Sequence, residues 1–276
     1  MNRSSSWLPW LLALLLTMLL AVYQRLTGPT YPVRGKELLP HGEIRFDFNR
    51  SGTSHQSLPV RVVAAGSGLE FRLHYRRFPF QENEAWTASP MEKKGFSYQA
   101  LIPGQPVAGK VAYKVEVLGA GGSAWLNRGE FVVARFKGEV PASLLILHII
   151  LMFAGLLLAF RTGLGALFRD AAWQRLIPWT LAVTFLGGMV LGPLVQKYAF
   201  GSYWTGFPLG SDLTDSKTLF AVLFWFGAFL LRRRSRWWTA GATALMLVVY
   251  LIPHSVLGSE LDYKTGKVET AEMARE

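Results

Sequence analysis

His148 and His254 are the two imidazoles in the apolar part of this 276-residue chain. A histidine among lipid-compatible residues is costly enough to require a partner or a task. Met152 and Gly155 follow His148 at i+4 and i+7, on the same helical face, where a glycine leaves space for a neighbouring helix or a flat cofactor. One chemistry open to the pair is axial ligation of a haem b iron from facing helices. Another joins His254 to Asp212, Asp215 and Glu260 as a divalent-metal set on the outer face, zinc suiting such mixed ligands and its bound water serving as hydrolytic nucleophile. No HExxH pattern sharpens that set, and Asp212-Leu213-Thr214-Asp215 reads equally as a capped helix start. The third reading is structural: His148 bonds a neighbouring backbone or a residue such as Tyr198, and the Gly-Pro-rich loop 206–217 is a folded lid.

The elements that must position these residues follow from hydropathy. Apolar runs lie at Trp7 to Tyr23, Ala142 to Phe160, Ile177 to Val195, Leu219 to Leu231 (extendable back to about Leu213) and Trp238 to Ile252. A bilayer crossing takes roughly 17–25 helical residues, so with their flanks the runs predict five transmembrane helices. The formal charge of +11 is explained largely by where the arginines sit. Arg161, Arg169 and Arg175 lie between runs two and three, and Arg232, Arg233, Arg234 and Arg236 between runs four and five. The positive-inside rule puts both loops and the N-terminus in the cytoplasm, and the segment 26–140, the loop after run three and the C-terminal tail outside. The charge therefore indicates a membrane lipid environment rather than a nucleic-acid partner. The first run has the basic start of a signal peptide, yet Leu20-Ala21-Val22-Tyr23 lacks a small-x-small cleavage site, so an uncleaved anchor is expected.

From His41 onward the pattern changes to period-two alternation. Ile44, Phe46 and Phe48 alternate with polar residues, as do Leu69, Phe71, Leu73 and Tyr75, and Val111, Tyr113, Val115 and Val117. Further strands are expected near Val60 to Ala65, Phe96 to Ile102 and Phe131 to Phe136, with Gly-rich turns between them. Short strands at this spacing read as an antiparallel sandwich with immunoglobulin or fibronectin-III architecture, without the Cys-Trp-Cys hallmark. The absence of cysteine also excludes disulfides, thiolate metal sites and covalent c-type haem. His41, His55 and His74 have no metal-ligand spacing and read as solvated or turn residues. Arg76-Arg77-Phe78-Pro79-Phe80 and Trp86 could contact a glycan or a protein.

The organisation expected is an anchor over 1–25, an extracytoplasmic β-sandwich over 26–140, a four-helix membrane domain over 141–258 and a polar tail over 259–276. Such a chain reads as a multi-pass protein of a bacterial-type inner membrane. Its expected role is a non-catalytic component of a membrane complex, its outer polar cluster binding haem b or another membrane or periplasmic protein. The rival is an outer-facing metal-dependent enzyme using His254 and nearby carboxylates.

Overall fold

The computed structural model describes residues 7–39, 42–64, 68–81, 84–119, 122–170, 172–253 and 258–270. The chain divides into a helical unit (1–29, 140–198 and 202–259) and a β unit (30–139, 199–201 and 260–276).

Among the described residues of the helical unit, four helices are long and apolar enough to cross a membrane: α1 (Trp7–Thr27), α2 (Ala142–Phe168), α3 (Trp173–Phe200) and α4 (Leu213–Leu231). A fifth apolar helix, α5 (Trp237–Leu251), has 15 residues, about 23 Å of rise. Asp212 caps α4, its Oδ1 accepting from the amide of Thr214 at 2.8 Å, which is why the helix starts well before its apolar run. The core joins Leu156, Phe160, Ile177, Trp225 and Met246 to Ala13 and Leu20 of α1. Gly155 meets Thr184, Gly163 meets Thr243, and Gly188 meets Thr218; a Cβ on Gly155 would lie 2.8 Å from the Thr184 hydroxyl. Small residues let these helices approach closely, as small-residue interfaces do in bilayers.

α1 does more than lie against its neighbours. Its Gln24 amide donates to the carbonyls of Tyr250 and Ile252, the latter at 3.1 Å, while the Tyr23 hydroxyl donates to Leu251 at 3.0 Å. These donors close the C-terminus of α5, whose last carbonyls have no partner within the helix. At the other end, the Arg161 guanidinium bonds Asp170 at 2.6 Å and lies 5.3 Å from the Trp10 ring.

Among the described residues, the β unit holds two large sheets. One has five strands in the order β1 (Val33–Leu39), β2 (Gly42–Phe48), β4 (Leu58–Ala64), β8 (Ser97–Ile102), β7 (Glu92–Lys94). The other runs β3 (Ser51–Thr53), β11 (Val132–Lys137), β9 (Lys110–Gly119), β5 (Glu70–Phe78), β6 (Thr87–Pro90), with β10 (Gly122–Trp125) also on β9. Pairing is antiparallel except between β11 and β3. The alternating apolar residues form one core that includes Ile44, Phe48, Val62, Phe71, Leu73, Ile102, Tyr113 and Phe136. His74 departs from the solvated role expected of it. It does face away from the core, but its Nε2 meets Glu116 at 3.0 Å and the Trp125 ring lies 5.0 Å from it, because Trp125 stands opposite Glu116 where β10 pairs beside β9.

The polar tail also has structure: β12 (Ser259–Leu261) pairs with β13 (Val268–Thr270). The amide of Leu261 donates to Ala108 at 3.1 Å, and the Tyr263 hydroxyl donates to Gln105 and to the Lys110 carbonyl, each at 3.1 Å. Hydropathy gave no sign of this hairpin, because its hold is by hydrogen bonds rather than by an apolar face.

Candidate functional site

The polar residues singled out in the helical unit resolve into two separate arrangements. The first surrounds His148. Its Nδ1 lies 2.9 Å from the carbonyl of Gly187, which also accepts from the amide of Gly192 five residues on. That i to i+5 bond belongs to a π-helical segment, Leu186–Leu191, set within α3. The widened turn presents the Gly187 carbonyl to a second donor, and His148 supplies it. Because a carbonyl only accepts, Nδ1 carries the proton in this contact. Gly187 is tightly packed: a Cβ there would stand 3.1 Å from Leu151 and 3.2 Å from the Met152 sulfur. With Gly155 against Thr184, the glycines that could have made room for a flat cofactor are occupied by helix packing.

The second arrangement lies where α3 ends and α4 begins. Thr205 Oγ1 is its centre, 2.7 Å from Gln196 Nε2, 3.2 Å from both Asp212 Oδ2 and Ser259 Oγ, and 3.4 Å from Asp215 Oδ2. Asp215 Oδ2 further accepts the amides of Thr205 at 2.7 Å and Gly206 at 3.1 Å. Ser259 Oγ also reaches Asp212 Oδ2, at 3.4 Å. Gln196, Asp212, Asp215 and Ser259 are all buried. Lys217, one turn further into α4 and equally buried, donates to the Ile252 carbonyl at 2.8 Å. A buried carboxylate needs donors, and here the loop backbone provides them. The result is a staple that ties the turn after α3 to the first turn of α4.

Of the four residues in the expected metal set, Asp212 and Asp215 are brought together. Glu260 is not with them; it pairs with Lys110 in the β unit. Ser259 and Glu260 are successive residues of β12, so they point to opposite sides, and only Ser259 turns toward Asp212. His254 lies outside the described residues, and no group of three metal-capable side chains occurs among the described ones. Gln196, Thr205 and Ser259 were missed by sequence reasoning. Gln196, a polar residue inside an apolar helix, was the one available signal.

In the β unit, the aromatic and cationic loop residues engage one another. The Arg76 guanidinium stacks 3.7 Å from the Phe80 ring and 5.5 Å from Trp86, and the Lys114 ammonium sits 5.2 Å from Trp86 and 3.9 Å from Trp125. These cation–π contacts cover the outer face of β5 and β9.

No protein-family model matches the chain, and no curated protein matches it. Solved structures with some likeness include a family 76 glycoside hydrolase from a bovine Bacteroides thetaiotaomicron strain, at 13% identity over 77% of this chain and 50% of that one, TM-score 0.28. Another is Astrotactin-2, a conserved vertebrate-specific, perforin-like membrane protein involved in neuronal development, at 8% identity over 77% and 36%, TM-score 0.24. The chain spans half of the first and about a third of the second, and at these TM-scores neither supports an argument about function.

Proposed function

We propose that the chain is a five-span protein of a bacterial-type inner membrane, with an exported immunoglobulin-like sandwich, acting as a non-catalytic component of a membrane complex. Parity carries the five-span part. The chain leaves the β unit at Glu139, contributes Ala199–Gly201 to it after α2 and α3, and rejoins it at Glu260 after α4 and α5. A chain that returns to the same compartment has crossed an even number of times, so α4 and α5 cross as a pair although α5 is short. The arginine loops fall at the opposite ends of these helices, which fits a cytoplasmic position. Strand order supports the immunoglobulin reading: β2, β4, β8 and β7 can be taken as A, B, E and D, and β11, β9, β5 and β6 as G, F, C and C′.

The non-catalytic reading is supported by the use already made of the candidate carboxylates, which hold a loop through its amides and hydroxyls. A second reading, haem b on His148, draws on the Nδ1–H to carbonyl bond, an arrangement that orients metal-binding histidines. Reporter fusions test the first: after Arg169 and Arg234 they should report cytoplasm, and after Gly138 and Asp262 the other side. A cytoplasmic report from Gly138 overturns it. Detergent-purified protein isolated with a discrete set of membrane or exported proteins supports the complex, whereas a Soret band with a sharp reduced α-band supports haem.

A further inference from the structure

The outer surface between α3 and α4 carries an apolar groove. The Asp215 staple ties the turn after α3 to the first turn of α4, so the two helices run antiparallel and the start of α3 lies beside the end of α4. On α3, Pro178, Ala182 and Phe185 line the groove at i, i+4 and i+7, and on α4 Val222, Phe226 and Phe229 line it at the same spacing. Its volume is about 450 Å³, within the roughly 300–1,000 Å³ of small-molecule sites. Val222 is buried and Ala182 ends at its Cβ, whereas the Phe185 and Phe226 rings are 47% and 48% exposed, so a narrow floor has aromatic rims. The stripe from Pro178 to Phe185 rises about 10 Å, against roughly 15 Å for one leaflet of the hydrocarbon core.

One end of the groove is cationic. Arg175 stands three residues before Pro178 and Arg232 three after Phe229, so each continues the stripe of its helix one turn past the groove. The Arg232 guanidinium lies 4.1 Å from the Phe229 ring and donates to the Phe229 carbonyl, while Arg175 is exposed. Among the described residues no carboxylate pairs with either arginine; Asp170, five residues before Arg175, is taken by Arg161.

We propose that the groove and its arginine end form a site for an anionic phospholipid, one acyl chain lying between α3 and α4 and the phosphate meeting Arg175 and Arg232. A guanidinium presents a fork of donors that matches phosphate oxygens, and basic residues at the ends of membrane helices recognise headgroups. A flexible chain suits the groove better than a neighbouring helix does. Where helices of this bundle meet closely a glycine faces a threonine, as at Gly155 and Thr184, Gly163 and Thr243, and Gly188 and Thr218. The groove offers aromatic rims instead, which hold a second helix away but admit an acyl chain between them. Every part of the site belongs to the helical unit, and α3 and α4 are long and apolar enough to cross a bilayer. The site therefore stands whichever compartment its arginine end faces.

The test uses the full chain in a neutral detergent. Its melting is followed at constant ionic strength while short-chain phosphatidylglycerol, zwitterionic phosphatidylcholine with the same tails, or inorganic phosphate is added. Phosphatidylglycerol should stabilise the protein saturably, at roughly a tenth of the phosphatidylcholine concentration, and inorganic phosphate, which has no chain to seat, should not. Arg175→Gln and Arg232→Gln should each raise the half-saturating concentration of phosphatidylglycerol about tenfold and leave that of phosphatidylcholine nearly unchanged. Ala182→Phe fills the groove and should weaken both lipids while the lipid-free melt stays in place. Equal stabilisation by the two lipids, stabilisation by phosphate alone, or a phosphatidylglycerol titration unmoved by Arg175→Gln or by Ala182→Phe would overturn the proposal. So would a disulfide-linked dimer of Ala182→Cys in native membranes, because the chain has no cysteine of its own and such a link would seat a second copy in the groove.

Discussion

Replacing Gln24 with leucine asks whether α1 is a working member of the bundle. Leucine keeps the bulk and suits lipid, so insertion should be unaffected. What is lost is the amide that donates to the carbonyls of Tyr250 and Ile252. An interhelical hydrogen bond in a bilayer is worth about 0.6 kcal/mol on average and at most about 1.7. Two such bonds give an expected loss of about 1–2 kcal/mol. For a protein of this size that lowers the melting temperature by roughly 2–8 °C. Lys217→Met removes the other donor to Ile252, at 2.8 Å. Each single variant leaves that carbonyl one partner, and the double variant leaves it neither. The double loss should therefore exceed the sum of the singles by on the order of 1 kcal/mol. Thermal melts and dodecyl-sulfate titrations in mixed micelles measure this. Strictly additive losses, or a Gln24→Leu protein indistinguishable from wild type, would refute the account of α1 as the cap of α5.

Asp215→Ala should free the amides of Thr205 and Gly206, at about 1–3 kcal/mol for each buried group left unsatisfied. Faster hydrogen exchange at these two amides is the expected sign, and unchanged protection would contradict the staple. His148→Leu should cost little, near the average for one interhelical bond, whereas Gly155→Leu should cost about 1–3 kcal/mol by forcing α2 away from Thr184. The reverse ranking in thermal melts would mean that the imidazole does more than bond Gly187. Lys137 is held to about 8, against 10.5 when unfolded, so between those values the unfolded chain binds more protons and folding gains stability as pH rises. Burial of Lys110 acts in the same direction. Melting of the β unit in chloride should therefore climb from pH 8 to pH 10, and Lys137→Gln should flatten the climb.

Hydropathy located the helices well because long apolar runs admit few other structures, and the Asp212 cap was visible as an aspartate before an apolar helix. Alternation located most strands for a similar reason: Leu58, Val60 and Val62 can bury together only if the chain is extended. The π segment was not legible, since Leu186–Leu191 has an ordinary helix composition and the extra residue shows only in its carbonyl pairing. The pairing of Glu260 with Lys110 was not legible either. Closeness in sequence to the C-terminus of α5 said nothing about which side of an extended strand each residue would take. The polar cluster itself was half legible: its carboxylates stood out, but the threonine, serine and glutamine that complete it look like ordinary loop residues.

The β unit is discontinuous in sequence, and this imposes an order on its biosynthesis. The segment 30–139 is synthesised before α2, whereas Ala199–Gly201 follows two more helices and Glu260 follows a further two. Until then Lys110 faces Arg135 without its carboxylate, and Ala108 and Gln105 lack the Leu261 amide and the Tyr263 hydroxyl. The β unit is thus begun early and completed last. Ribosome-stalled chains ending before residue 259 should carry a looser β unit than the finished protein, so closure of that unit reports that every helix has been synthesised.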